Sequence, residues 1–242
     1  MFKRTLTQPD ILLIAANLLP VIGVWFFGWN PKEVFIVYCF ETIIIGFYNL
    51  VKMAIITAVR KTDIWENNGT RTRVSGWVFM LFFLVHYGLF VTVQMGIFFG
   101  VSGIADQYNF NFFSFFYKWP QLMTQGTLIM LGVFFISYGY KMFTEFIIPG
   151  LYKTTPLGLQ MFQPYMRIFI QQFAVILGSM FLVFGAGKIF ILIFALVKIC
   201  FEVYVNYEAV LNRRLQDSNK IKGNRTKASF KPRAMSRTSG KQ

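Results

Sequence analysis

Six long apolar blocks, nearly free of charge, run through this sequence at about 11–29, 33–59, 76–101, 127–148, 165–185 and 188–208. A helix rises 1.5 Å per residue, so about 20 such residues cross the roughly 30 Å hydrocarbon core of a bilayer. A soluble core of this size has no room for them. Of all residues 55% are hydrophobic and 14% charged, against about 25% charged in ordinary soluble domains. The expectation is an all-α integral membrane helical bundle of about six transmembrane helices. It divides into an N-terminus over 1–10, a membrane domain over 11–210 and a tail over 211–242. The first block follows Lys3 and Arg4 as a signal peptide would, but lacks an Ala-x-Ala-like cleavage site. Gly28–Trp29–Asn30–Pro31 reads instead as a tight turn into the next helix.

The net charge of +14 would suggest nucleic acid in a soluble protein. In a membrane protein it reports topology, because cytoplasmic loops are enriched in Lys and Arg. With a cytoplasmic N-terminus, the inner segments hold Lys3, Arg4, Arg60, Lys61, Arg71, Arg73, Lys153, Arg167 and every basic residue of the tail from Arg213 to Lys241. The outer loops hold only Lys32, Lys118 and Lys188. Both termini are therefore expected in the cytoplasm. From Ser218 onward the tail carries no acidic residue and little that is apolar, a composition expected to stay disordered. It suits topology fixing or adhesion to anionic lipid headgroups. Nucleic-acid binding is not expected, since Phe230 is the tail's one stacking aromatic.

The outer loop at about 102–126 carries Tyr108, Phe110, Phe112, Phe113, Phe115, Phe116, Tyr117 and Trp119. Such residues favour the headgroup level, so the loop is expected to lie along the outer interface, as a packing helix or as a lid. Asn68–Gly69–Thr70 and Asn224–Arg225–Thr226 match the glycosylation pattern but fall on cytoplasmic segments. Cys39 and Cys200 read as small buried hydrophobes. One histidine in the chain, His86, excludes bis-His haem and disfavours zinc, so no metal site is expected and no cofactor is indicated. Gly96-x3-Gly100 offers a close-packing face.

Ionisable groups in the bilayer core cost about 2.5–3.5 kcal/mol each on insertion scales, so they face the bundle interior and pair. Counted from the outer ends at 1.5 Å per residue, Gln94 lies about 10 Å deep, Glu41 about 12 Å and Lys198 about 15 Å. His86, Gln171 and Glu202 lie at about 21–22 Å and Asn49 at about 24 Å. This gives an upper layer pairing Glu41 with Lys198, and a lower layer joining His86 with Glu202, Asn49 and Gln171. Glu41 and Lys52, three turns apart, share a face with Asn49, and Lys198, Glu202 and Asn206 form a ladder. Pro20, a turn after Asn17, is expected to kink the first helix.

Several of these residues also carry a resemblance. Asn17–Leu18–Leu19–Pro20-x2-Gly23, Phe27–Gly28–Trp29, Glu41 with Gly46, Asn49-x2-Lys52, His86–Tyr87–Gly88-x-Phe90 and Lys198-x3-Glu202 together resemble an uncharacterised family of prokaryotic multi-pass membrane proteins, a domain of unknown function. Asp is commoner than Glu in that family at position 202. The resemblance covers about 10–210. It implies an inner (cytoplasmic) membrane location and no particular activity, and it groups Asn17, Glu41, Asn49, Lys52, His86, Lys198 and Glu202.

The expected site is thus Glu41, Asn49, Lys52, His86, Gln171, Lys198 and Glu202 around a polar cavity. Carboxylates near a histidine relay protons, which points to a small proton-linked transporter or permease. The alternatives are a membrane-embedded enzyme acting on a lipid or quinone through His86, and a non-catalytic scaffold or subunit that docks by its basic tail. No His-Glu-x-x-His, Gly-x-Ser-x-Gly or phosphate-loop pattern is present.

Overall fold

The computed structural model describes residues 8–67, 70–102 and 118–204. The side chains of 66–71, 101–102, 122, 166, 174–175, 179, 182 and 201–204 lie outside that description. So do the core of the aromatic outer loop, the second glycosylation pattern, Asn206 and the basic tail. Residues 1–205 form one compact unit. The chain is an all-α membrane bundle with one small β-hairpin. Its elements are α1 (Gln8–Phe26), α2 (Pro31–Arg60), β1 (Thr62–Asn67), β2 (Thr70–Ser75), α3 (Gly76–Ser102), α4 (Gln125–Met142), the short α5 (Leu157–Phe162), α6 (Tyr165–Val183) and α7 (Gly187–Tyr204). Among the described residues four helical stretches are long and apolar enough to cross a membrane: Gln8–Phe26, Pro31–Arg60, Gly76–Gly100 and Gln125–Ile147.

Local chemistry sets the helix ends. α1 runs on through Pro20 to Phe26, and Gly28 then adopts φ +68°, a conformation that glycine takes without steric cost. Asn30 caps α2 by accepting from the Lys32 amide at 2.9 Å, with Pro31 in the first turn. The α6–α7 turn is as tight: Gly185 has φ +73°, and the Ala186 amide donates to Phe181 O at 2.9 Å, the bond that closes a glycine-terminated helix. α4 ends differently. Its ladder widens into a π-helical turn at Phe143–Ile147, and Gly150 at φ +70° then turns the chain.

α2 is the axis of the bundle. It packs on α3, α4, α5, α6 and α7, while α1 packs on α4 and α7. Lipid tails are as apolar as side chains, so helices here are held by close packing and by polar pairs rather than by escape from water. Aromatic rings supply much of that packing. Phe35 stacks on Phe98 at 6.1 Å and on Phe190 at 5.1 Å, Phe190 stacks on Phe194 at 5.9 Å, and Phe194 meets Tyr38 edge-on at 4.6 Å. Such pairs contribute about 0.5–1.5 kcal/mol each. The Trp29 indole is wedged where any side chain larger than hydrogen at Gly23 or Gly126 would collide with it, and so pins α1 to α4. Gly96 and Gly100 are exposed with nothing near them, so the expected close-packing face on α3 is not used within the described residues.

Between α2 and α3, where the apolar pattern alone implies a plain loop, the chain forms the β-hairpin, pairing Thr62 with Ser75 through Asn67 with Thr70. It is fixed at its root. Arg60 bonds Asp63 at 3.0 Å and also donates to Thr155 O, while Asp63 accepts the Leu157 amide at 2.6 Å at the start of α5. Trp65 packs on Phe79 of α3 at 5.6 Å.

Candidate functional site

Glu41 stands in the middle of the longest helix and is 0% exposed. A carboxylate there needs partners that are fixed in place, because an unpaired charge in this medium would take up a proton. Two neighbouring helices provide them. Lys198 of α7, 6% exposed, donates from Nζ to Glu41 Oε2. Tyr138 of α4, also buried, donates from its hydroxyl to Glu41 Oε1 at 2.7 Å. The ammonium is further held by ring faces: its Nζ lies 5.0 Å from the Tyr38 ring centre, 5.1 Å from Phe134 and 5.7 Å from Phe194. Cation–π contacts of this kind gain strength when water is excluded. Gln171 of α6, buried, donates to the backbone oxygen of Tyr38 and so fixes the backbone beside the cage. Arg167, one turn earlier on α6, sits 5.7 Å above the Tyr138 ring.

The remaining expected residues do not gather into one lower layer. Asn49 is buried and accepts from Gln160 Nε2 on α5 at 2.7 Å; Gln160 also bonds Gln163 at 2.6 Å. His86 bonds through Nδ1 to the Tyr165 hydroxyl at 2.7 Å and stacks on Phe82 at 5.3 Å. It is half-buried on a side of α3 whose neighbours Phe82, Leu89 and Val93 are 50%, 60% and 46% exposed. Lys52 lies with Nζ 5.3 Å from the Phe146 ring centre. Gln171 belongs with Tyr38 in the upper layer. Glu202 is in α7, and its side chain is outside the described set.

The structure adds Asp10, Tyr138 and Gln160, which the sequence pattern does not single out, and gives partners to Lys141 and Glu145, two ionisable residues within the fourth apolar block. Asp10, 2% exposed, pairs with Lys141 at 3.4 Å, and Lys141 is 3.7 Å from Glu145. Asp10 precedes the first apolar block and so reads as part of the N-terminal arm, but α1 starts at Gln8 and brings it onto the helix. Tyr138 stands out little from an apolar block, and Gln160 lies in the connection between two blocks, so neither has a sequence signal of its own. Among the described residues no three His, Cys, Asp or Glu side chains cluster as a metal site would need.

What the upper layer can do follows from its composition. It contains one carboxylate that accepts or releases a proton, one ammonium that cannot leave its aromatic cage cheaply, and a phenol between that carboxylate and Arg167. Protonating Glu41 would convert an ion pair joining α2 to α7 into a neutral acid beside a cation.

The chain belongs to a family of unknown function, DUF6498, whose profile matches residues 1–222, in keeping with the resemblance in the sequence. No curated protein and no solved structure matches it.

Proposed function

We propose that this membrane protein is a small proton-linked permease whose occluded gate is Glu41, Lys198 and Tyr138. The observation that supports this is a buried ion pair between α2 and α7 with its hydroxyl partner on α4. A buried pair is an expensive way to join helices, since desolvation offsets much of its attraction. It becomes useful where the link must open. A proton on Glu41 removes the attraction, so proton uptake and separation of α7 from α2 become linked equilibria. With Glu41 neutral, Lys198 and Arg167 leave the centre cationic, and a small carboxylate-bearing solute would take the place of Glu41 on Lys198.

Proteoliposomes loaded with a pH-sensitive dye provide the test. A panel of small mono- and dicarboxylates, with sugars and amines as comparison, is added outside. A carboxylate should acidify the lumen faster than in empty vesicles, and Glu41→Gln should abolish the difference. Equal rates with and without protein across the panel would end this reading, as would full flux through a well-folded Glu41→Gln variant.

The charge distribution supports both termini in the cytoplasm and the basic tail over 211–242 against anionic headgroups, and a prokaryotic inner membrane as the location follows from the resemblance alone. A second reading, an enzyme acting on a lipid or quinone, is favoured by His86 alone. Its imidazole is half-buried beside lipid-facing residues, within reach of an amphiphile that never enters the bundle. A quinone or lipid that co-purifies with wild type and is lost in His86→Ala would favour that enzyme. Identical bound-lipid profiles would remove it.

A further inference from the structure

At the root of the hairpin, where α2 ends and α3 begins, lies a groove of about 500 Å³ lined by Ala54, Thr57, Ala58, Lys61, Thr62, Ser75, Trp77 and Met80. We propose that it binds one anionic phospholipid, with the phosphate on Lys61 and an acyl chain along Ala54, Ala58 and Met80. This goes beyond the permease reading and does not depend on it.

The groove grades from polar to apolar in the direction a lipid does. Lys61, Thr62 and Ser75 stand at the end of the α2 and α3 spans, and Thr62 faces Ser75 on the hairpin's first rung. Ala54, Ala58 and Met80 lie further along the apolar helices. Trp77 flanks it at 71% exposure, as tryptophans do at headgroup level.

One detail of the groove points to an anion, the cation of Lys61. This residue has φ +60°, the one positive φ at a non-glycine residue among those described. Its amide caps Thr57 O at 2.8 Å, and its carbonyl accepts from Gly76 at 3.0 Å. Glycine would hold this helix-ending position with less strain. A lysine there brings a cation to the groove mouth, and no carboxylate among the described residues pairs with it.

The strained backbone makes the test clean, because Lys61→Gly relieves φ while removing the cation and should fold at least as well as wild type. The full chain, delipidated in detergent, is melted with short-chain phosphatidylglycerol, short-chain phosphatidylcholine or inorganic phosphate. Phosphatidylglycerol should raise the melting temperature beyond the other two. The concentration giving half the shift should rise about fivefold in Lys61→Gly, the equivalent of one lysine–headgroup contact. Contributions of the basic tail are common to both chains, so only the difference between them is read. Equal shifts by the two lipids overturn the proposal, as does an unchanged half-maximal concentration in Lys61→Gly. Inorganic phosphate reproducing the full shift would make this a free-anion site and overturn the lipid assignment.

Discussion

The two polar regions of the bundle's interior are built on opposite plans. Around Glu41, side chains from two neighbouring helices converge on one carboxylate, and aromatic rings close over its cation. Nearer the hairpin end, Asn49 with Gln160 and His86 with Tyr165 form separate neutral pairs, one buried and one beside lipid-facing residues. A convergent charged centre stores its energy in mutual dependence, because losing either charge strands the other. Separate neutral pairs fail one at a time and cheaply. Function that needs a switch belongs in the first kind of site.

The strongest way to break the contrast is to remove one charge. Lys198→Met deprives the Glu41 carboxylate of its ammonium partner, and breaking a buried pair costs about 3–5 kcal/mol. The melting temperature should fall further than for any single substitution in the neutral pairs. Glu41→Leu combined with Lys198→Met should recover most of that fall, since two apolar residues leave no buried charge. If the double variant melts no higher than Lys198→Met, the two charges are not acting as one desolvated unit.

Tyr138→Phe sharpens the comparison by keeping the ring and deleting one charge-assisted bond. A loss of about 1.5–3 kcal/mol is expected, with thermal melting as the readout. Asn49→Leu should cost less, about 1–2 kcal/mol, because Gln160 keeps its bond to Gln163. If Asn49→Leu proved the more damaging of the two, the neutral pair would be the true keystone and the convergence at Glu41 incidental.

The same contrast explains what can be read from sequence. Helix ends are legible at Gly28–Trp29–Asn30–Pro31 and at Gly185, because turn chemistry is local. Depth along α2 and α7 sets Glu41 level with Lys198, since rise per residue is nearly constant. Facing is harder. α3 is apolar all round, so nothing in its pattern says that His86 looks toward Tyr165 and lipid rather than toward Asn49. Partners such as Tyr138 and Gln160 carry no charge and blend into apolar or loop sequence. The hairpin does have a signal, hidden inside another one. Asn68–Gly69 opens a glycosylation pattern, and it is also the residue pair that most favours a two-residue hairpin turn. Asp10 escapes by a single residue, because the apolar block begins directly after it.

The smallest expected effect falls on His86. His86→Leu removes one half-buried hydrogen bond to Tyr165 and places an apolar side chain among residues such as Phe82, Leu89 and Val93. The lost bond is worth about 1 kcal/mol at most, and better lipid solvation of leucine opposes that loss. The melting temperature should therefore move little in either direction. This makes His86 the residue at which stability and function separate most cleanly. Proton-coupled flux unchanged in His86→Leu leaves the switch with Glu41 and Lys198 alone. Flux lost at constant stability would mean that the lipid-facing imidazole carries protons to the centre, and the two regions would then be one path.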